Sequence, residues 1–284
     1  MKGKRVLITG GNAGIGKATA IALAQQGAEV IITARSESKA KEAVAEIMKA
    51  SGSTNVTYLL LDLSSQHEVR NAAQVFKTRY TSLDVLINNA GCYFSDLQLN
   101  TDGIEMQFAT NHLGHFLFTN LILDELKAAP KARIINLSSI AHNSTRELDL
   151  NEINYQKQPY QGWKSYSRSK FCNILFTREL AARLEGAGIT VNAVHPGGVR
   201  TEIAEKNANW YTKLGWILAK PFFITVEQGA ATSIYLASSP KVESETGGYW
   251  VKCKRHYSNR PSQDPELAKA LWAKSEELVG QKFG

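Results

Sequence analysis

Residues 4–27 limit the architecture of this chain more than any other stretch. Lys4 to Thr9 is a short apolar run with strand character, and Gly10-Gly11-Asn12-Ala13-Gly14-Ile15-Gly16 follows it at once. Helical periodicity then resumes through Ile15, Ala18 and Ala22 and breaks at Gly27. Strand, glycine turn and helix in that order let a backbone come close to a ligand: glycines accept positive φ, and the free N–H groups of the helix N-terminus face a phosphate.

Two nucleotide-binding readings fit this turn. Gly11 to Lys17 spells G-x-x-x-x-G-K, the loop of triphosphate-binding proteins, but the hydroxyl needed next for Mg²⁺ is replaced by Ala18, and Thr19 lies one residue too far on. The other reading takes Gly10, Gly14 and Gly16 as a G-x-x-x-G-x-G variant of the dinucleotide turn, with Asn12 and Ile15 inside it and Lys17 on the surface. The end of the second strand, Glu29 to Thr33, bears on the choice of cofactor. A carboxylate there binds the ribose hydroxyls of NAD, whereas this chain has Thr33-Ala34-Arg35-Ser36. A guanidinium with no acid beside it can grip a 2′-phosphate, so Arg35 favours NADP. The plain alternative is an arginine opening an exposed loop.

Strand and helix alternate to the end of the chain. A helix from Glu37 to Ala50 precedes a strand from Val56 to Leu61, and a helix from Ser65 to Tyr80 precedes a strand from Leu83 to Ile87. The third strand ends at Asp62-Leu63, where an adenine would lie; Asp62 either bonds the base or caps the next helix. The fourth runs into Asn88-Asn89-Ala90-Gly91, small and amide residues that suit backbone packed on a cofactor as well as a plain turn. Further strands are expected at 134–139, 189–194 and 248–251, with helices over 164–184, 225–237 and 264–279. This alternation indicates a parallel sheet with right-handed crossovers.

In the helix over 164–184, Tyr166 and Lys170 are four apart and share a face. A positive charge ~4 Å from a phenol at an effective dielectric of ~20 favours the phenolate by up to about 4 kcal/mol before screening. Such a phenol can give and take a proton near neutral pH. The same spacing also arises where a lysine stem merely packs on a ring.

The glycine turn, Asn88-Asn89-Ala90-Gly91 and Tyr166-x-x-x-Lys170 together resemble the short-chain dehydrogenase/reductase family, from Val6 to about Trp250. Asn111-His112-Leu113-Gly114-His115-Phe116, the run Ile134 to Ser139, and His195-Pro196-Gly197-Gly198-Val199-Arg200-Thr201 resemble its retinol-dehydrogenase-like branch. The resemblance implies an α/β fold, a Rossmann-type doubly wound, mostly parallel seven-stranded sheet with helices on both faces. Residues 1–284 would form one dinucleotide-binding catalytic domain with substrate loops near 140–163 and 198–224. It implies that Tyr166 is the acid in carbonyl reduction and the base in alcohol oxidation, and that Lys170 lowers its pKa and bonds the nicotinamide ribose. Ser139 would hold the substrate oxygen, with Ser138 ranked behind it because adjacent strand residues face opposite ways. Asn111 would complete a proton relay near Lys170, Pro196, Gly197 and Val199 would border the nicotinamide, and Thr201 would bond its carboxamide. His112 and His115 sit three apart, but no third ligand is placed to complete a metal site. Ser167-x-x-Lys170 matches a hydrolase nucleophile motif whose companion motifs are missing. A protein that holds NADPH without catalysis, as a redox sensor, is the rival from another class; the Ser139, Tyr166 and Lys170 set speaks against it.

The net charge of +7 is spread along the chain, its densest patch being Lys252 to His256, so a solvated surface is expected rather than a nucleic-acid track. Cys92, Cys172 and Cys253 have no paired spacing, and no apolar run approaches membrane-spanning length, so a cytoplasmic protein is expected. The stretch 209–223 carries five aromatics among aliphatics and two lysines. It reads as an apolar lid over a lipophilic substrate, with peripheral membrane contact or a homo-oligomer interface as alternatives.

Overall fold

The computed structural model describes residues 1–199 and 224–283. Its strands are β1 (Arg5–Ile8), β2 (Glu29–Ala34), β3 (Val56–Leu60), β4 (Val85–Asn88), β5 (Arg133–Leu137), β6 (Thr190–His195), β7 (Tyr249–Val251) and β8 (Lys254–His256). They form one sheet in the order β3-β2-β1-β4-β5-β6-β7-β8. Every pairing is parallel except the last, in which Val251 faces Lys254 across an antiparallel hairpin.

The sheet is therefore eight-stranded, not seven-stranded as expected. The extra strand lies in the basic patch, where all three residues are exposed and no apolar alternation marks a strand. Lys252 and Cys253 make its two-residue turn, both in the left-handed region at φ 49° and 59°. Positive φ at both central positions suits the twist of a tight hairpin.

The inner strands are apolar on both faces because helices cover both. Leu7, Ile31, Leu86, Ile134 and Val191 point into one core cluster, while Val6, Ile8, Val30, Ile32, Val85, Ile87 and Val194 point into the other. The first cluster is closed by α3 (Gln66–Arg79), α5 (Gly114–Leu121), α7 (Gly162–Arg183) and α9 (Pro265–Val279), which contribute Phe76, Phe116, Phe171 and Trp272. The second is closed by α1 (Gly14–Gln25), α2 (Glu37–Ser51) and α8 (Val226–Ser238) through Leu23, Ile47 and Leu236. Short helices α4 (Met106–Phe108) and α6 (Leu123–Lys127) flank α5. Ser65 starts α3 by accepting the Glu68 N–H at 3.3 Å, and Asp264 starts α9 with Pro265 at its first position.

Strand order reverses between β1 and β4. In open α/β sheets ligands bind in the crevice at the carboxyl ends of the strands at this switch point, and the glycine turn, Asn88 to Gly91, Ser139 and Gly197 all follow those ends.

Candidate functional site

The glycine turn is built for close approach. Gly10 and Gly14 hold φ of 62° and 51°. A Cβ on Gly16 would lie 2.5 Å from the Gly10 carbonyl oxygen, so no larger residue fits there without moving backbone. The N-cap of α1, Ala13, offers no side-chain bond, and no acid stands in the first turn. Its N–H groups thus stay available to an anion, with Asn12 and Ile15 in the same turn. Lys17 points away and pairs with Glu46 on α2 at 2.5 Å, which removes it from any triphosphate role.

Thr33 on β2 accepts the Gly10 N–H at 3.2 Å, so the end of β2 is tied to the turn. Arg35 stands two residues further on, exposed and without an ion-pair partner among the described residues. The nearest acid in sequence, Glu37, is held by Lys41 at 2.9 Å and Tyr58 at 3.0 Å. A dinucleotide therefore fits: there is a cradle only glycine permits and an uncapped helix start, with the exposed Arg35 guanidinium at the end of β2. Asp62 does not cap α3, since Ser65 does. Its carboxylate accepts the N–H and hydroxyl of Ser64 at 2.9 and 2.7 Å, which fixes Asp62 and Leu63 at the edge of the crevice.

After β4 the two asparagines part. Asn88 is buried, donating to Thr119 at 2.9 Å and Asn136 at 2.8 Å, so its side chain serves the packing between strands and helices. Asn89 reaches the Thr9 carbonyl at 2.7 Å and braces the glycine turn. Thr9 is the hub that the sequence reading missed: its hydroxyl accepts the N–H groups of Asn89 and Ala90, each at 2.9 Å, and bonds His115 Nε2 at 2.8 Å. A threonine directly before the glycine turn is the one signal that marks it.

Residues 109–113 form a π-helical turn in which the Gly114 N–H reaches back to the Ala109 carbonyl. Such one-turn bulges occur inside helices at functional sites. Asn111 sits in this turn and clamps two elements. Its Oδ1 accepts the Cys92 N–H at 2.7 Å, and its Nδ2 donates to the Cys92 carbonyl at 3.1 Å and to Ser169 Oγ on α7 at 2.9 Å. A Cβ on Gly91 would lie 3.2 Å from both Asn111 Oδ1 and Lys170 Nζ, so this glycine lets the amide and the lysine converge. His115 Nδ1 bonds the Asn111 carbonyl and His112 Nε2 bonds Ser275 Oγ, so both histidines act in packing.

On α7, Tyr166 and Lys170 come together with Ser139. The Ser139 hydroxyl accepts the Ala141 N–H at 3.2 Å and stands near enough to the Tyr166 phenol to pull its pKa down, whereas the Ser138 hydroxyl donates to the Lys170 carbonyl at 2.7 Å. Lys170 Nζ lies 5.7 Å from the Tyr166 ring centroid and donates to the Leu137 carbonyl at 3.3 Å. The expected softening of the phenol by the lysine is not what dominates. Burial pushes Tyr166 up to about 12, with Ser139 pulling against it, and burial pushes Lys170 down to about 8. Both groups leave water together, and an ammonium that itself resists charging has less to offer its neighbour.

Aromatic and aliphatic groups surround the phenol. The Trp163 ring lies 5.9 Å and the Tyr93 ring 6.0 Å from that of Tyr166. Trp163 is 51% exposed, and Ile140, next to Ser139, is 60% exposed. Across the crevice, Gly197 takes φ 96°, and Val199 bridges to Ile224 and packs with Ile15 against the Gly229 position on α8. Pro196 precedes this turn. Thr201 and the apolar stretch 209–223 lie outside the described residues. No helix among the described residues is long and apolar enough to cross a membrane.

Residues 4–149 and 153–212 match the family model for short chain dehydrogenases. The chain is 42% identical over 278 residues to retinol dehydrogenase 12 of Mus musculus, covering 98% of this chain and 87% of that protein. A solved structure of an uncharacterized protein from Mycobacterium paratuberculosis superposes with a TM-score of 0.80 at 32% identity, covering all of this chain (100%) and 96% of the other. The NADP active-site complex of Pseudomonas aeruginosa RhlG superposes with a TM-score of 0.70 at 26% identity, covering 88% and 94%.

Proposed function

The chain belongs to the short-chain dehydrogenase family of nicotinamide-dependent oxidoreductases, and from that premise we propose that it interconverts a lipophilic aldehyde or ketone and its alcohol with NADP(H). The observation that carries this reading is the gathering of the buried Tyr166 phenol with Ser139 beside it and Lys170 one helical turn behind it.

When bound, the nicotinamide gives hydride to the carbonyl carbon or takes it back. The residues of the chain do the rest. The Ser139 hydroxyl holds the substrate oxygen, and Tyr166 gives it a proton as charge builds there. Burial keeps the Tyr166 phenol in its protonated form, so it carries the proton that the substrate oxygen needs. Lys170 stabilises the phenolate left behind and bonds the ribose. Asn111 fixes the Cys92 backbone and α7 relative to each other, close enough to Lys170 to extend a proton relay. Gly10, Asn12, Gly14, Ile15 and Gly16 receive the pyrophosphate, with Arg35 on the 2′-phosphate and Asp62 and Leu63 at the adenine. Asn88, Ala90 and Gly91 offer backbone on one side of the nicotinamide, and Pro196, Gly197, Val199 and Thr201 border the other.

Trp163, Ile140 and Tyr93 supply the apolar wall beside Tyr166. Similarity to a retinol dehydrogenase and to an NADP complex agrees with an apolar substrate and a phosphorylated cofactor. The test is NADPH oxidation with aldehydes from acetaldehyde to dodecanal and with retinal. Turnover rising with chain length supports the reading; no turnover across the panel favours a binding protein.

A further inference from the structure

His195 ends β6, and its ring joins two turns that the fold otherwise leaves separate. The N–H of Ile140, directly after Ser139, and the N–H of Gly197 both donate to His195 Nδ1, each at 3.3 Å. Both partners are backbone donors, so Nδ1 must be bare and the ring proton must sit on Nε2. The ring is only 8% exposed, so water competes little for these bonds.

A second imidazole holds the same turn from its other side. His142 Nδ1 donates to the Ser139 carbonyl at 2.7 Å, and its Nε2 accepts the Asn259 N–H at 3.3 Å. Its partners demand the opposite tautomer, and the Tyr249 ring packs on it at 4.9 Å. The Ser139 turn is thus fixed at its carbonyl by one histidine and at the following N–H by the other.

We propose that His195 is a positioning residue: by accepting from Ile140 and Gly197 together, it sets the Ser139 hydroxyl relative to Tyr166 and to the turn that borders the nicotinamide. This rests on the reading of Ser139 and Tyr166 given above. Within the turn the Ser139 hydroxyl accepts the Ala141 N–H at 3.2 Å, so the shared acceptor at Ile140 holds the backbone on which that local bond is built. Loss of the shared acceptor unties the two turns from each other, and a misplacement of about 1 Å near reacting atoms costs on the order of 100-fold in rate.

Asparagine and glutamine separate the proposal from simple packing. In His195→Asn the side-chain oxygen stands near the Nδ1 position and can accept both N–H groups, whereas in His195→Gln it reaches towards Nε2. With the aldehyde of the panel that the wild type reduces fastest, His195→Gln and His195→Leu should lose about 10- to 100-fold in kcat. The Kd for NADPH should stay within about threefold, and His195→Asn should recover most of the loss. Equal activity in Asn and Gln variants, or wild-type kcat in His195→Leu, overturns the proposal. If the leucine variant does not fold, the comparison of Asn with Gln decides alone. A wild-type protein inactive on the whole panel refutes the catalytic reading first, and that outcome is distinct from any pattern among the variants.

Discussion

Lys170 Nζ stands 5.7 Å from the centre of the Tyr166 ring, while the Ser139 hydroxyl is the neighbour that pulls the buried phenol's pKa down. Serine is thus the nearer influence on the tyrosine proton, and lysine acts from behind. Tyr166→Phe removes the proton but keeps the ring packed against Trp163 and Tyr93. We expect kcat to fall by roughly 10²- to 10⁴-fold, the range for a positioned acid. NADPH affinity should change by less than about threefold. Steady-state kinetics with a parallel fluorescence titration of NADPH checks both, and an unchanged kcat would refute the assignment of the acid.

Arg35 is exposed at the end of β2 with no acid paired to it among the described residues. A guanidinium on a phosphate makes charge-assisted bonds worth about 1.5–3 kcal/mol. Replacing it with aspartate removes that and adds repulsion. Arg35→Asp should therefore weaken NADPH by about 10- to 100-fold or more while NADH changes little. Titration calorimetry with both cofactors gives the comparison, and equal losses would mean that the arginine never meets the phosphate.

The architecture was legible wherever the signal was periodic or glycine-based. β1 to β7 and α7 fall within a few residues of their expected bounds, because apolar runs and helical spacing reflect burial on the sheet. Ser139 was ranked ahead of Ser138 through the family resemblance, with strand alternation setting the two on opposite faces, and Ser138 donates to the Lys170 carbonyl. Less could be read where tertiary contact decides. Thr9 becomes a hub only because β4 and α5 bring Asn89, Ala90 and His115 to it. The π-helical turn at Asn111 has no sequence signature, and β8 is too short and too charged to show one. Spacing along a helix reports that Lys170 and Tyr166 are near each other but not that both lose water, which pushes the phenol up and the ammonium down.

Trp163 is three residues before Tyr166, so its half-exposed indole stands beside the reacting position. An apolar chain leaving the carbonyl would cover it. Trp163→Ala should raise KM for dodecanal by about tenfold and leave acetaldehyde nearly unchanged, since a lost apolar wall costs only what the substrate would have buried. Kinetics along the aldehyde series tests this. A uniform loss at every chain length would place the indole in support of Tyr166 instead of the substrate.

Four histidines are buried in neutral form, and together they set an acid limit to stability. Burial is the largest cause in each: it depresses His112 and His115 to about 3 and His195 to about 4, and it lowers His142 as well. A histidine in the unfolded chain titrates near ~6.5. Between that value and the depressed one the unfolded chain binds a proton that the native chain refuses, so stability is complete above pH ~6.5 and is lost as pH falls towards ~4. Each group adds a slope of about 1.4 kcal/mol per pH unit within its window. The urea midpoint should therefore be nearly flat from pH ~7 to ~8 and fall steeply below ~6.5. His112 offers the cleanest check, since its ring lies among Phe108, Phe116 and Phe176 and its partner Ser275 already donates to the Leu271 carbonyl at 2.8 Å. His112→Leu should keep the fold and make the acid slope shallower by about one proton. The same slope in wild type and variant would mean that His112 takes no part in the acid transition.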